Sequence, residues 1–214
     1  MFDLDGTLVD NFIAIADAYN YSFSKIGLPA QSPDFIKTQV GGSAPITMGK
    51  LIGSEKAPLA FPHFTEYFNE HFRDGLTLLD GVKETLESLH ACEKYKLAVF
   101  TNKIGDKARD ICKHLEIAHY FEGIYGTGDT PWKKPDTQFT DFALNQLKGS
   151  KENTCLIGDS PYDVDTATLS QLTCYIISSG SHSFEEMNKT KATQCFHSMT
   201  EVGREVFKLN SFQN

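Results

Sequence analysis

The chain has 214 residues, of which 40% are hydrophobic and 16 are phenylalanine, so it can bury a substantial core. Its formal net charge is −8 and its pI about 5.3, whereas nucleic acids and anionic membranes require a basic patch, so we expect neither as a partner. The five cysteines are widely spaced without a CxxC pair and predict reduced thiols in a soluble, cytoplasmic protein.

Residues 1–9 predict the end of a strand that runs into a loop. The segment is apolar apart from Asp3 and Asp5, and it breaks at Gly6. Two carboxylates two residues apart in an extended segment project to the same side, where both can approach one metal ion or one substrate. Gly6 lets the backbone turn sharply beside them.

Residues 10–77 predict helices and show no strand-like alternation. The first helix is indicated by apolar residues spaced by three and four positions: Phe12, Ile13, Ala16, Tyr19 and Phe23. Further helices are predicted over residues 34–39, 46–52 and 64–72. Glycine and proline residues separate them, including a break over residues 58–62.

From residue 80 onwards, helices and strands alternate. Helices are predicted over residues 82–90, 106–115, 136–147 and from 163 to 169, and short buried strands over residues 96–101, 121–126, 154–158 and 174–177. Two helices have predicted inward faces: Val82, Leu86 and Leu89, and Phe139, Phe142, Ala143 and Leu147. This alternation predicts right-handed crossovers and a parallel sheet, which makes the fold α/β.

Distinctive polar residues lie at four strand ends or in the loops that follow them. They are Asp3 with Asp5, Thr101 with Asn102 and Lys103, Lys133 with Lys134, and Asp159 with Asp163. Ligands of open parallel sheets bind beyond the carboxyl ends of the strands. We therefore expect these side chains to form one site.

Four segments together resemble the haloacid dehalogenase-like superfamily in its phosphatase branch, with features of the phosphoglycolate phosphatase-like group. The segments are FDLDGTL (2–8), VFTNK (99–103), WKKP (132–135) and LIGDSPYD (156–163). The resemblance implies a Rossmann-like catalytic core of residues 1–9 and 78–214, with an inserted helical cap domain over residues 10–77. It also implies that Asp3 is the nucleophile, and that Asp5 protonates the leaving group and later activates water.

The same resemblance assigns the remaining polar positions. Thr101 matches a phosphate-binding residue, and Asn102 would supply donors nearby. Lys134, rather than Lys133, would pair with the nucleophile and the phosphoryl group. A plain polar loop after the strand and solvated surface lysines are the alternatives for these residues.

The resemblance further implies a magnesium site. Asp3, the backbone carbonyl of Asp5 and Asp159 would supply the oxygen ligands that Mg²⁺ prefers, together with substrate and water. Asp163 would orient a water molecule or Lys134, and it can also stabilise the start of a helix through the dipole.

This chain departs from the family pattern at three places. Only Met1 and Phe2 precede Asp3, so we expect either a shortened first strand or a true start further upstream. Thr137 stands where a second proline is common. Gln171 stands where a helix of the family ends in glycine, so we expect the helix to be capped in another way, at a cost of roughly 1 kcal/mol if the position requires a left-handed residue.

The helical insertion implies a cap that closes over the site, with hinges near residues 9–11 and 75–80, and favours a small phosphorylated metabolite as substrate. Gly42 and Ser43 belong to a loop that either meets the substrate or only joins two helices. We expect a monomer or weak homodimer.

Three functions remain open at this point. The first is hydrolysis of a small phosphate monoester, and the second is a phosphomutase of the β-phosphoglucomutase kind. The third is a catalytically silent binding protein, whose expected mark is a lost nucleophile or metal ligand. Asp5 and Asp159 argue against dehalogenation, because that branch lacks the second acid and needs no metal.

Overall fold

The computed structural model describes residues 1–209. The strands are β1 (Val9–Asp10), β2 (Thr77–Leu78), β3 (Ala98–Ile104), β4 (Gly123–Thr127), β5 (Cys155–Gly158), β6 (Thr173–Ile177) and β7 (Gln194–Phe196). The helices are α1 (Phe12–Lys25), α2 (Pro33–Gln39), α3 (Ala44–Ile52), α4 (Ala57–His71), α5 (Val82–Ala91), α6 (Gly105–His114), α7 (Thr137–Leu147), α8 (Pro161–Ser170), α9 (Phe184–Met187) and α10 (Met199–Glu205).

A parallel sheet forms the centre of the fold, as the alternation of strands and helices predicted. β3 pairs with β4, while β5 pairs with β6 and β6 with β7, all in parallel. Residues 1–3 lie between the two groups, because Phe2 forms parallel bridges to both Val99 and Ile157. The order is therefore β4, β3, residues 1–3, β5, β6 and β7, which places Asp3 at the middle of the sheet.

The two faces of this sheet are covered by separate hydrophobic clusters. Phe2, Val99 and Ile157 belong to one cluster, whereas Phe100 belongs to the other and stacks on Phe139 of α7 at 4.4 Å between ring centroids. Neighbouring residues of one strand point to opposite faces, so the buried sheet needs apolar residues at every position. This explains the continuous apolar runs in β3 and β5.

Four helices, α1 to α4, lie between β1 and β2. These two strands pair antiparallel, with Val9 opposite Leu78 and Asp10 opposite Thr77. The segment that enters the four helices therefore lies beside the segment that leaves them. α1 packs on α4, with Tyr19 and Phe64 at 4.5 Å between ring centroids. The predicted helices in this segment are confirmed, while its behaviour as a separate domain stays a prediction.

Two details of the helical segment differ from the prediction. Ile13, predicted to face inward, is 59% exposed. α4 begins at Ala57, so the predicted break lies inside the helix. Pro58 occupies the first turn, where no backbone N–H is needed, and Pro62 removes only one hydrogen bond close to the helix start.

Other boundaries also shift. β3 extends to Ile104, so the polar residues 101–103 lie in its last part rather than after it. Phe142, predicted to be inward, is only half-buried. β7 and the helices α9 and α10 were not predicted; β7 has three residues and is too short for a recognisable pattern.

The end of α8 corrects one expectation directly. Gln171 adopts the left-handed conformation, with φ 59° and ψ 41°, and the N–H of Leu172 donates to the carbonyl of Ala167 at 2.9 Å. The helix is therefore capped in the left-handed way that glycine provides. The expectation of another kind of cap is wrong, because Gln171 accepts this conformation itself.

Within residues 1–209, no helix is both long and apolar enough to cross a membrane.

Candidate active site

Three carboxylates and one ammonium group are buried together at the carboxyl edge of the sheet. Asp3, Asp159 and Asp163 each place a ligand oxygen within 4.8 Å of the others. Lys134 Nζ lies 3.0 Å from Asp3 Oδ2 and 2.7 Å from Asp163 Oδ1. The parallel order explains this meeting, because residues 1–3 and β5 are neighbours and both end at this edge.

Asp3 is held rigidly at the end of the central segment. Its Oδ1 accepts a hydrogen bond from the backbone N–H of Leu4 at 2.8 Å, and its Oδ2 faces Lys134. Burial raises the pKa of Asp3 to about 6, although Lys134 and a hydrogen bond with Thr101 act in the opposite direction. The carboxylate is thus poorly solvated and oriented, as an effective nucleophile requires.

Asp159 follows β5 and is held by residues from two other loops. Its Oδ1 accepts from the hydroxyl of Thr7 at 3.2 Å, and its Oδ2 accepts from the backbone N–H of Ser181 at 3.0 Å. The backbone packs tightly around this carboxylate, since a Cβ on Gly6 would lie 2.5 Å from Oδ2. A Cβ on Gly180 would overlap the same oxygen. Glycine is therefore required at both positions.

The balance of charge in this cluster fits a bound cation. Among the buried side chains of residues 1–209, these three carboxylates face one ammonium, that of Lys134. Burial raises the pKa of Asp159 well above its ordinary value, and repulsion from Asp163 and Asp3 adds to the rise. A divalent ion held by carboxylate oxygens would relieve this repulsion, and hard oxygen donors suit Mg²⁺.

Asp163 has its oxygens engaged by the protein. Oδ1 contacts Lys134, while Oδ2 accepts from the hydroxyl of Ser160 at 2.7 Å and from its backbone N–H at 3.1 Å. The bond from the backbone N–H of Ser160 is one half of a capping box at the start of α8. In the other half, the side chain of Ser160 accepts from the backbone N–H of Asp163. This arrangement agrees with the predicted role of orienting Lys134 and leaves little access for a metal ion.

Thr101 and Asn102 lie in the last part of β3 and are both buried. The Oγ1 of Thr101 accepts from the backbone N–H of Lys103 at 3.2 Å. Asn102 accepts from the N–H of Lys134 at 2.9 Å and donates at 3.2 Å to the carbonyls of Lys134 and Gly41. Its amide therefore ties two loops to the sheet, and its predicted donation to phosphate stays a prediction.

The loop between α2 and α3 lies against the carboxyl edge of the sheet. A Cβ on Gly42 would come within 2.9 Å of the Tyr162 hydroxyl, and Ser181 Oγ lies 3.4 Å from the carbonyl of Val40. Ser43 is buried and precedes α3 as its N-cap residue. The structure thus brings both predicted cap residues, Gly42 and Ser43, to the site.

Asp5 pairs with a lysine that the sequence interpretation left without a role. Lys103 Nζ lies 2.8 Å from Asp5 Oδ2 and 3.1 Å from Oδ1, and 4.6 Å from the ring centroid of Phe68 in α4. A signal was available, because Lys103 closes the run of polar residues that begins at Thr101 at the end of a predicted strand. Lys103 was predicted to lie among the polar residues of the site but was given no role, because a polar loop after a strand is also typical of a solvated surface.

A cavity of about 350 Å³ lies between the helical segment and the sheet edge. The residues that border it include Asp5, Asn102, Lys103, Gly42 and Ser43, and the further charged residues Asp106, Lys107 and Asp110. Its walls include the aromatic residues Tyr19, Phe64 and Phe68. The cavity is therefore lined by both charged and apolar side chains, which is the usual composition of a small-molecule site.

Comparisons with known proteins agree with this geometry. A family model described as haloacid dehalogenase-like hydrolase matches residues 1–177. A phosphoglycolate phosphatase from Chromobacterium violaceum is 31% identical over 174 residues, which cover 78% of this chain and 78% of that protein. A provisionally named pyrophosphatase from Caldanaerobacter subterraneus is 32% identical over 173 residues, covering 78% of this chain and 75% of that protein.

The fold is similar to that of solved relatives over almost the whole chain. A predicted phosphatase from Clostridium acetobutylicum has a TM-score of 0.88 and 26% identity, with 97% of each chain covered. The family model also spans the buried charged cluster, from Asp3 to Asp163. The chain therefore belongs to the haloacid dehalogenase-like hydrolase family.

Proposed function

We propose that the chain is a magnesium-dependent phosphatase that hydrolyses a small phosphate monoester, of the phosphoglycolate kind, through an aspartyl-phosphate on Asp3. The observation that carries this proposal is the buried pair of Asp3 and Asp159, with their ligand oxygens within 4.8 Å and Lys134 in contact with Asp3. A phosphate dianion can approach such carboxylates only when cations offset the repulsion.

The magnesium ion would be held by carboxylate oxygens of Asp3 and Asp159 and by the backbone carbonyl of Asp5. When bound, it supplies charge neutralisation and polarises a phosphoryl oxygen. Lys134 adds a second positive charge, and Asp163 fixes its position through the 2.7 Å contact. The hydroxyl of Thr101, beside Asp3, donates to a phosphoryl oxygen.

The reaction then proceeds in two displacements at phosphorus. A carboxylate oxygen of Asp3 attacks, the ester P–O bond breaks, and Asp5 gives a proton to the departing oxygen. In the second step, Asp5 takes a proton from water as the water oxygen bonds to phosphorus. The bond between phosphorus and the Asp3 oxygen breaks, which frees the Asp3 carboxylate and releases inorganic phosphate. Asp5 is two residues from Asp3 in the sequence and borders the cavity, so the leaving group would occupy the cavity.

The size of the cavity and the names of relatives support the choice of substrate. About 350 Å³ suits a small metabolite rather than a protein surface. The relative from Chromobacterium violaceum is named a phosphoglycolate phosphatase. The helices of residues 12–71 would form the cap that excludes water during the first displacement.

The test is a phosphate-release screen over small phosphate monoesters, including 2-phosphoglycolate, with and without Mg²⁺. We expect turnover that stops in excess chelator and returns when Mg²⁺ is added back. Full activity in chelator would contradict the metal-dependent mechanism. Transfer of the phosphoryl group to a sugar hydroxyl faster than its release to water would favour a phosphomutase instead.

A further inference from the structure

Lys103 occupies a position that the reaction scheme leaves without a function. Its side chain is only 9% exposed, and its ammonium contacts both the carboxylate of Asp5 and the ring of Phe68. An ammonium has three N–H donors. The contacts of 2.8 and 3.1 Å to Asp5 engage one side of it, and Lys103 also borders the cavity.

The place of Asp5 fixes where this ammonium lies relative to a substrate. If Asp5 protonates the leaving-group oxygen, that oxygen lies within hydrogen-bond distance of its carboxylate. Lys103 Nζ lies 2.8 Å from the same carboxylate on the side of the cavity. Because both residues also border the cavity, a substituent one or two bonds beyond the leaving-group oxygen can reach Lys103.

A second lysine of the cavity provides a contrast. Of the described residues that border the cavity, Lys103 and Lys107 are the cationic ones. Lys107 contacts Asp110 at 3.2 Å and lies over the ring of Phe72 at 4.4 Å. Asp110 also borders the cavity and is the counter-ion of Lys107. The counter-ion of Lys103 is instead Asp5, the residue proposed to carry the proton, so Lys103 is the lysine next to the proposed leaving group.

The surroundings of Lys103 make a charge contact there effective. Tyr19, Phe64 and Phe68 line the cavity. The Lys103 ammonium lies over the ring of Phe68, and only 9% of the Lys103 side chain is exposed to water. Electrostatic attraction is stronger where water is excluded. A neutral leaving group that displaces water from this ammonium makes no charge-assisted hydrogen bond to replace the lost hydration, whereas an anionic leaving group does.

We propose that Lys103 is a specificity-determining residue that binds an anionic group on the leaving side of the substrate, next to the bond that is broken. The inference rests on the proposed function, because it takes the leaving group to lie beside Asp5. The anion can be the carboxylate of a phosphorylated hydroxy acid or the second phosphate of a pyrophosphate. Both present a negative oxygen close to the leaving-group oxygen.

The experiment compares matched substrates. 2-Phosphoglycolate and ethyl phosphate differ in that a carboxylate replaces a methyl group, and pyrophosphate provides the second anion. kcat/KM is measured with Mg²⁺ for the wild type, Lys103→Met, Lys103→Arg and the control Lys107→Met. Methionine keeps much of the apolar side chain that lies over Phe68 while removing the charge.

We expect the wild type to prefer an anionic leaving group over ethyl phosphate by about 30-fold or more, the usual scale for a partly buried charge pair. Lys103→Met should bring this ratio close to 1, Lys103→Arg should retain part of it, and Lys107→Met should leave it within about 3-fold. Which anion is preferred, carboxylate or phosphate, identifies the substrate class.

Binding separates this inference from the proposed function. Calorimetric titration of the Asp3→Asn variant, with and without Lys103→Met, measures affinity for the same three compounds without turnover. If the wild type releases no phosphate, the proposed function fails, but the titration still decides the role of Lys103. Equal affinities for 2-phosphoglycolate, pyrophosphate and ethyl phosphate would overturn the inference. An equal loss of kcat/KM on all substrates in a folded Lys103→Met variant would also overturn it.

Discussion

The two sides of the candidate site are held in place by different kinds of interaction. On the phosphate side, Asp3, Asp159 and Asp163 are fixed by hydrogen bonds from backbone N–H groups, hydroxyls and Lys134. On the leaving-group side, aromatic rings of α1 and α4 surround a cavity. On this side, Lys103 contacts both Asp5, the proposed proton carrier, and Phe68 of the helical segment.

This difference assigns separate tasks to the two sides. Hydrogen bonds have strict geometry, so the phosphate side is prepared for one charge distribution before the substrate binds. Aromatic packing tolerates small shifts of the helices, which suits the admission and selection of a leaving group. Changes on the phosphate side should therefore reduce the rate for every substrate, whereas changes on the other side should alter the substrate ranking.

The largest effect should come from Asp3→Asn, which removes the nucleophile from the phosphate side. We expect kcat to fall by about 10⁴-fold or more for every ester, with an unchanged circular dichroism spectrum, because the amide is nearly isosteric. Asp141→Asn, which alters an exposed acid that contacts Lys151, is the matched control and should have normal activity. Normal turnover in Asp3→Asn would show that Asp3 is not the nucleophile and would contradict the assignment of the phosphate side.

Asp5→Asn tests the border between the two sides. It removes a proton carrier, so we expect kcat to fall by about 10²–10⁴-fold. Both half-reactions need this proton transfer, and a phosphoenzyme should accumulate if the second step slows more than the first. Mass spectrometry after rapid quenching measures this species. An unchanged rate at neutral pH would show that another group carries the proton.

A third prediction concerns the stability of the metal-free phosphate side. The folded pKa of Asp3, about 6, lies above its ordinary value of 3.8, because burial opposes ionisation. The metal-free folded chain therefore holds a proton that the unfolded chain releases between these pH values. The contribution of Asp3 to the free energy of unfolding should fall by on the order of 3 kcal/mol as pH rises from about 4 to about 6.

Magnesium should act most strongly where this carboxylate is ionised. We expect the increase in Tm on adding Mg²⁺ to be larger at pH 7.5 than at pH 5, measured by calorimetry against samples in chelator. Asp3→Asn should remove most of the pH dependence attributed to Asp3 in the metal-free chain. A variant with the same pH dependence as the wild type would assign it to other groups.

The phosphate side was largely predictable from the sequence, for a physical reason. A parallel sheet brings the ends of its strands to one edge, so the order of segments was enough to bring Asp3, Lys134 and Asp159 together. The distances between these side chains, and the number of oxygens they offer to a metal ion, could be learned only from the structure. The occupied oxygens of Asp163 also became visible only there.

The leaving-group side was less predictable, because it depends on how helices pack rather than on strand order. Helical periodicity identified α1, yet it placed Ile13 inward, and the exposed and buried faces of a helix depend on its partner. The contact between Lys103 and Phe68 joins residues 35 positions apart in different elements, and no local pattern indicates it. The antiparallel pair of β1 and β2 has two residues in each strand, which is too short to show alternation.

The smallest expected effect lies at the far end of α8, whose first turn holds Asp163. Gln171 follows the last turn in the left-handed conformation, with φ 59°, and its side chain is exposed. A residue with a Cβ pays roughly 1–2 kcal/mol to adopt this conformation. Glycine avoids this cost, but it also gives the unfolded chain more conformational freedom, which cancels part of the gain in stability. Gln171→Gly should therefore raise the free energy of unfolding by up to about 1 kcal/mol, measured by urea denaturation.

Gln171→Ala serves as the control, because alanine keeps the Cβ and should give no such gain. Neither change should alter kcat or the substrate ranking, since Gln171 lies at the opposite end of α8 from the hydrogen bonds of Asp163. A gain in stability with unchanged kinetics would show that the strain at this cap is independent of the phosphate side. Equal stability of the glycine and alanine variants would mean that the left-handed conformation costs nothing here. A loss of kcat in the glycine variant would instead show that the whole length of α8 positions Asp163 and, through it, Lys134.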